Sequence, residues 1–315
     1  MDLSVSIGSK RLLNPVGVAS GTFGYGSEYQ DIVDISKIGA LYTKAVTLNP
    51  RPGNDIPRLV ETPAGLLNSI GLANVGADAF VSEKMPFLST LACAVVVNVA
   101  GSTESEYIAV IDKLEKYAGG HNGHIWGYEV NVSCPNVKHG CLLFGTNCEQ
   151  VKALTASLRK LTARPLIVKL TPNVTDIASV AKAAEDGGAD AISCINTLVG
   201  MVIDTNKKRP VIPALTGGLS GPAIRPVGVA MTYKVCDAVT VPVIGIGGIM
   251  NGDDALQYLL AGASAVQIGT ANFVDPSAPA KTLEGIEAFC RREQIDRMAQ
   301  LHQWRSTWQD PESAT

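Results

Sequence analysis

A cysteine follows a predicted strand in the sequence YEVNVSCPNVKHG, which occupies positions 128–140. Apolar and polar residues alternate as far as Asn131, and Pro135 cannot extend the strand because it lacks a backbone N–H. Cys134 therefore comes after the strand, between Asn131 and Asn136. A cysteine thiol in such a loop can serve as a base or nucleophile where nearby cations favour the thiolate. The pattern predicts a functional cysteine presented at a strand end.

Two lysines interrupt apolar sequence, Lys44 in LYTKAV and Lys169 in LIVKLT. A buried ammonium group needs an acidic partner or an anionic ligand, because it loses its hydration. The ends of the other predicted strands carry hydroxyls and amides: Ser20, Asn98, Asn131, Asn196 and Thr197. Since we find no carboxylate at these strand ends, we expect the lysines to bind an anionic ligand. An ion pair with a neighbouring strand is the structural alternative.

Glycine-rich turns follow the last two predicted strands, in IGIGGI at 244–249 and QIGTAN at 267–272. Gly247, Gly248, Gly269 and Thr270 stand where barrel proteins often bind phosphate, since glycine lets the backbone approach a ligand closely. Tight turns without a ligand are the alternative interpretation. Combined with the lysines, the turns predict a phosphorylated ligand.

Eight short apolar runs, separated mostly by amphipathic stretches, must position these residues. The runs are 16–19, 41–43, 94–97, 128–132, 166–170, 191–195, 243–246 and 265–268. Such alternation predicts a parallel sheet covered by helices. Gly187, in AEDGGAD, is predicted to end one helix with a positive φ.

The repeats run without a linker, which predicts an α/β fold with a single (β/α)8 TIM-barrel domain over 1–315. Two stretches, 45–90 and 197–220, exceed ordinary connections and are predicted to be functional loops over the C-terminal mouth. A short polar tail is expected from about 305 to 315. A doubly wound sheet is the alternative, but no G-x-G-x-x-G follows an early strand.

Composition narrows the classes of protein. The net charge of −3, without long charged runs, argues against a nucleic-acid partner or a polybasic membrane contact. Neither a signal peptide nor an apolar run long enough to cross a bilayer is found, so we expect a cytoplasmic protein. Cysteines 134, 141 and 148, with His139, lack the C-x-x-C spacing of a metal site, so no metal is expected.

Redox chemistry at this mouth would need a cofactor, because few side chains exchange electrons. One possibility is a flavin, with lysine stabilising the reduced anion and cysteine moving a proton. The other is a Schiff base on Lys169, as in barrel aldolases. Residue patterns alone leave both open, although the expected lack of a carboxylate beside Lys169 argues against the aldolase.

An ordered set of motifs extends from the N-terminus to about residue 275. It comprises ASGTFGYG (19–26), TKAVT (43–47), PRPGNDIPRLVETPAGLLNSIGLAN (50–74), VNVAG (97–101), NVSCPNVKHG (131–140), VKLTPN (168–173), INT (195–197), GGLSGPAIRP (217–226), IGIGGI (244–249) and IGT (268–270). In this set the chain resembles the dihydroorotate dehydrogenases, the flavin enzymes of pyrimidine synthesis. Cysteine rather than serine at 134 resembles the soluble types of this family, and SCPNVKHG followed by FGT (144–146) resembles the NAD-linked type, class 1B.

The resemblance implies oxidation of (S)-dihydroorotate to orotate in de novo UMP synthesis, with one FMN per chain. It also implies a partner subunit carrying FAD and a [2Fe–2S] cluster, and a homodimer at the core of a heterotetramer. A fumarate-dependent class 1A enzyme and a dihydropyrimidine dehydrogenase-like flavin barrel are the alternatives within flavin chemistry. A non-catalytic phosphate-binding barrel is the alternative outside enzymes.

Site residues follow from the same resemblance, with Cys134 as the catalytic base. The residues expected to hold FMN are Ser20, Lys44, Ala45, Asn98, Asn131, Lys169, Ile195, Gly221, Gly247, Gly248, Gly269 and Thr270. Those expected to bind the substrate are Lys44, Asn68, Ser69, Ile70, Gly71, Leu72, Asn131, Asn136, Asn196 and Thr197.

Overall fold

Eight parallel strands close into a barrel in this computed structural model, which describes residues 1–120, 124–132 and 141–308. In chain order, β1 to β8 are Val16–Val18, Ala40–Tyr42, Ala94–Val99, Gly127–Asn131, Leu166–Lys169, Ala191–Cys194, Val243–Ile246 and Ala265–Ile268. Each strand pairs with its chain neighbours, and β8 pairs with β1. The predicted barrel is confirmed, the doubly wound sheet is excluded, and predicted strand ends differ from the observed ones by at most two residues.

Helices cover the outside of the barrel. They are Gly76–Ala79, the π-helical turn Phe80–Lys84, Met85–Leu88, Glu104–Gly120, Cys141–Thr146, Cys148–Arg159, Ile177–Asp186, Arg225–Ala238, Gly252–Leu260, Ala271–Val274 and Ala278–Arg292, with 3-10 turns at Ile35–Lys37, Pro222–Ile224 and Met298–Thr307. In the described part of the chain, no helix is both long and apolar enough to cross a membrane.

Capping residues and glycines explain where the helix Ile177–Asp186 begins and ends. Asp176 caps the helix Ile177–Asp186 by accepting from the N–H of Ala178, and an acid at this end also complements the helix dipole. The prediction for the other end of that helix was wrong by one residue. Gly187 has a helical φ of −79°, and the positive φ, +96°, falls on Gly188. The helix therefore continues one residue further before the chain reverses.

Short strands form around the barrel ends. Val5–Ile7 and Lys10–Leu12 make an antiparallel hairpin, and Ile203–Asp204 pairs with Arg209–Pro210. A four-stranded antiparallel sheet has the order Leu198–Gly200, Gly217–Ser220, Gly65–Asn68 and Leu59–Thr62. This sheet joins the two long stretches that were predicted to be functional loops.

Alternation along each strand decides which side chains enter the barrel. Tyr128 and Val130 of β4 belong to the same apolar cluster as Leu114 and Leu154 of the surrounding helices. Because successive side chains in a strand point to opposite faces, Glu129 points into the barrel. A polar layer therefore lies within the otherwise apolar interior.

Candidate active site

A cavity opens at the carboxyl ends of the barrel strands, where barrel enzymes carry their active sites. Its walls include the strand-end residues Ser20, Asn98, Asn131 and Lys169, and the four-stranded sheet contributes Asn68. Amides, hydroxyls and ammonium groups therefore face one space from elements far apart in the chain.

The residues predicted for the site converge on this cavity. Those lining it are Ser20, Lys44, Ala45, Asn68, Ile70, Gly71, Leu72, Asn98, Asn131, Lys169, Ile195, Asn196, Thr197, Gly221, Gly247, Gly248, Gly269 and Thr270. Ser69 is not among the lining residues but is buried next to Asn68 and Ile70, which are. The side-chain amide of Asn54 donates to the Ser69 hydroxyl at 2.8 Å. Cys134 and Asn136 lie outside the described residues.

Lys169 has an acidic neighbour, contrary to expectation. Its Nζ lies 3.6 Å from Glu129 Oε1, and both side chains are almost wholly buried. The prediction that no carboxylate faces the lysines was therefore wrong. The sequence prediction missed Glu129 because this residue lies two positions before the strand end, inside the barrel, whereas the predicted site residues lie at the strand ends. Its position at alternate spacing from Asn131 could have revealed it.

Lys44 begins the loop after β2 and lines the same cavity. Its backbone N–H donates to Gly24 O at 2.8 Å, which fixes the start of the loop. Burial lowers the pKa of Lys44, the charge of Arg58 lowers it further, and Glu28 opposes the shift. An anionic ligand would compensate for this burial, in agreement with the interpretation of Lys44 as a ligand-binding residue.

Three glycines shape the far wall of the cavity. Gly221, Gly247 and Gly248 have φ values of +92°, +126° and +68°, in the region that side chains disfavour. A Cβ on Gly248 would lie 2.7 Å from the carbonyl oxygen of Gly221. The two loops therefore approach each other backbone to backbone. Tyr258 secures this arrangement by donating to the carbonyl of Gly247 at 2.6 Å.

Several lining residues escaped the sequence prediction, among them Ser220 and Phe273. Ser220 accepts from the Thr270 hydroxyl at 2.9 Å and joins the glycine loop to the end of β8. Its place directly before Gly221 in LSGP was a usable signal. Phe273 lies at the rim with about half of its surface exposed, and nothing in its sequence context indicated the cavity.

Metal ligands do not gather in the described part of the chain, where no group of three histidine, cysteine or acidic residues could hold an ion. Of the cysteines spaced by seven, only Cys148 has a described side chain, and it is partly buried and reduced. Of the other described cysteines, Cys93, Cys194 and Cys290 are buried, whereas Cys236 is partly exposed.

The closed barrel, with a polar cavity that contains lysines at its C-terminal mouth, defines the class as a (β/α)8-barrel protein. The family profile described as dihydroorotate dehydrogenase matches residues 2–290. The dihydroorotate dehydrogenase B (NAD(+)) catalytic subunit of Geotalea uraniireducens is 52% identical over 95% of this chain and 97% of its own. That of Geotalea daltonii is 51% identical with the same coverage.

A solved structure agrees in fold. The dihydroorotate dehydrogenase of Eimeria tenella, crystallised in complex with ferulenol, superposes with a TM-score of 0.79 at 20% identity, over 95% of this chain and 87% of that one. The chain belongs to the dihydroorotate dehydrogenase family. The resemblance seen in the sequence motifs, including that to the NAD-linked type, is confirmed.

Proposed function

We propose that this chain oxidises (S)-dihydroorotate to orotate as the catalytic subunit of an NAD-linked dihydroorotate dehydrogenase, in pyrimidine biosynthesis. One observation carries the proposal: the strand ends of a member of this family bring Lys44, Asn131 and Lys169 to one cavity. The relatives named as B-type catalytic subunits supply the NAD-linked assignment.

FMN fits the residues that line the cavity. The amide oxygen of buried Asn98 has no hydrogen-bond partner among the described residues, so a ligand N–H would satisfy it. The loops at Gly221 and Gly248 let a phosphate approach the backbone closely, and Thr270 adds a hydroxyl. Lys169 would supply positive charge for the ring edge that becomes anionic on reduction.

Dihydroorotate offers a carboxylate and the edges of a cyclic imide. Lys44 would pair with the carboxylate, and the amides of Asn68, Asn131 and Asn196 present both donors and acceptors to the ring edges. The backbone of 69–72 and Thr197 complete the proposed substrate set, together with Asn136 beyond the described residues.

Oxidation removes one proton and one hydride from the substrate. Cys134 would accept the proton from C5 as a general base, a role typically worth ~10²–10⁴-fold in rate. When bound, FMN would accept the hydride that leaves C6. Lys44 and the amides would orient the ring for both transfers, and the new C5–C6 double bond gives orotate.

Electrons must then leave the chain. The relatives are named catalytic subunits, which supports a partner subunit for this chain as well. We propose that the partner carries FAD and a [2Fe–2S] cluster and reduces NAD+, with two of the present chains forming the dimeric core of a heterotetramer. Without the partner, the chain should reduce its FMN with dihydroorotate but not turn over with NAD+.

An absorption spectrum of the purified chain, with and without dihydroorotate, tests the assignment. We expect a yellow protein whose flavin band bleaches with dihydroorotate and not with dihydrouracil. A colourless protein that borohydride traps at Lys169 would establish the aldolase instead. Bleaching by dihydrouracil alone would establish a dihydropyrimidine dehydrogenase-like enzyme, and steady turnover with fumarate would establish the class 1A type.

A further inference from the structure

Glu129 occupies the centre of a polar network inside the barrel. Its Oε1 accepts from Asn98 Nδ2 at 2.5 Å and lies 3.6 Å from Lys169 Nζ. Its Oε2 accepts from Ser193 Oγ at 3.0 Å and from Gln267 Nε2 at 2.8 Å. Groups from β3, β5, β6 and β8 thus meet one carboxylate of β4, whose side chain is fully buried.

This carboxylate lies below the cavity and does not line it. Asn131, two residues later in β4, is a lining residue, so Glu129 sits roughly 6–7 Å deeper along the strand. Asn98 and Lys169 do line the cavity, and Glu129 contacts both of them from beneath. It can therefore act on a ligand by orienting these two side chains or through its charge, but not by direct contact.

A hydroxyl links the same two side chains nearer the mouth. Ser20 Oγ accepts from Lys169 Nζ at 3.1 Å and from Asn98 Nδ2 at 3.3 Å. Because the amide nitrogen of Asn98 donates to both Glu129 and Ser20, its amide oxygen remains available to accept a hydrogen bond from a ligand. The orientation of this amide is thus set by the residues beneath it.

Burying a carboxylate carries a large desolvation penalty, and apolar side chains of similar volume often fill such positions at least as stably. Stability alone therefore gives a weak reason for an acid at this position. Its negative charge, however, offsets part of the positive charge that Lys169 presents to the cavity, where low polarity strengthens such effects.

We propose that Glu129 is a positioning residue that orients Asn98 and Lys169 and moderates the positive charge felt by the bound flavin, thereby setting its reduction potential. The inference rests on the proposed function, because it requires FMN in this cavity. It assigns to an interior residue a role distinct from those of the groups that touch cofactor or substrate.

The test compares E129Q with the wild-type chain, each loaded with FMN. Glutamine keeps the shape and removes the charge, so Lys169 is less compensated and favours the anionic reduced flavin. We expect the preference of the protein for reduced over oxidised FMN to increase at least tenfold, which is about 30 mV in potential for a two-electron couple. This increase in flavin potential is opposite in sign to the decrease expected for K169A.

E115Q provides the matched control. Glu115 is also paired with a cation, Arg164 at 3.0 Å, but it lies on the outer helix Glu104–Gly120 and is not among the cavity residues. The E115Q substitution should leave the flavin potential unchanged. An E129Q potential equal to that of the wild type or more negative would overturn the proposal, since a purely structural role would not raise it.

E129D keeps the inference testable if E129Q does not fold. Aspartate retains the charge but is one methylene shorter, so it cannot hold Asn98 and Lys169 together. We expect FMN to bind the apoprotein at least tenfold more weakly in a fluorescence titration, and wild-type affinity would contradict the positioning role. Wild-type protein that binds no FMN would instead refute the proposed function itself.

Discussion

At the scale of single residues, the two lysines of the cavity differ in their burial and in their charged neighbours. Lys169 meets Glu129 and Ser20 inside the barrel, whereas the pKa of Lys44 is lowered by burial and by Arg58. Two lysines with similar sequence contexts therefore have different electrostatic surroundings. This difference supports the proposed roles of Lys169 at the cofactor and of Lys44 at the substrate carboxylate.

Replacing Cys134 by alanine tests the base. We expect C134A to retain yellow FMN but to reduce it with dihydroorotate at least ~10²-fold more slowly, because the proton at C5 has no acceptor. Stopped-flow single-turnover reduction measures this rate. Cys148, partly buried on an outer helix, provides the control as C148A. An unchanged rate in C134A would refute the assignment.

Removing the ammonium group of Lys169 should affect the oxidised and reduced flavin differently. We expect K169A to lose FMN more readily and to show a lower flavin potential, since the anionic reduced form loses a neighbouring positive charge. Equilibrium dialysis and redox titration measure the two effects. K116A removes an exposed lysine and should change neither. Full retention of FMN at the wild-type potential would contradict the role.

The lowered pKa of Lys44 predicts a pH dependence for product binding. A lysine whose pKa lies below its ordinary 10.5 loses its charge earlier as the pH rises. The affinity for the orotate carboxylate should therefore weaken on the alkaline side before an ordinary lysine would titrate. Flavin difference spectra measure this affinity against pH. K44R should keep its affinity at alkaline pH, because arginine stays charged, and an identical alkaline loss in K44R would contradict the prediction.

At the scale of elements, the loops after the strands supply the binding geometry through their backbones. The turn after β7 approaches the Gly221 loop so closely that a side chain on Gly248 would meet a carbonyl oxygen. Asn251 then caps the helix Gly252–Leu260 by accepting from the N–H of Asp254. The turn is thus held between a strand, a second loop and a capped helix.

G248A should therefore weaken both folding and FMN binding. A strained φ alone costs about 1–3 kcal/mol, and the contact with Gly221 adds to it. Urea unfolding of the apoprotein and FMN titration measure the two losses. G119A, in a helix where a Cβ would meet nothing within 4 Å, should not destabilise the chain. Equal stability of G248A and the wild type would contradict this account.

At the scale of the whole molecule, the described part of the C-terminal segment packs on the outer helices of the barrel. Leu301 is buried in the apolar cluster that contains Tyr258 and Leu259 of the helix Gly252–Leu260. Arg305, at the start of the predicted polar tail, pairs with Asp237. Trp308 also stacks on Tyr233 of the helix Arg225–Ala238, so the described part of this tail packs on the outer helices.

L301A should destabilise the chain by about 2–5 kcal/mol, the usual range for a large-to-small change in a core. Chemical denaturation of the apoprotein measures this loss, and L215A, which truncates an exposed leucine, should have little effect. Unfolding of L301A at the same denaturant concentration as the wild type would contradict a stabilising role of Leu301.

Much of this protein can be predicted from local sequence. The alternation of strands and helices predicted the barrel, because the hydrophobic periodicity and the turn residues of each βα repeat can be recognised within that repeat alone. The strand-end lysines and asparagines could be identified because the carboxyl ends of parallel strands must share one mouth. Resemblance then added Asn68 and Gly221, which are far in sequence from any strand end of the barrel but line the same cavity.

Tertiary structure alone decided which polar groups meet. The contact between Glu129 and Lys169 joins two strands, and Gln267 reaches the same carboxylate from a strand 138 residues further along the chain. Local sequence cannot determine such contacts, because they depend on how the closed barrel staggers its strands and on which alternate side chains face inward. The sequence by itself determined the elements and the residues at their ends, whereas closure of the barrel determined the charged network beneath the site.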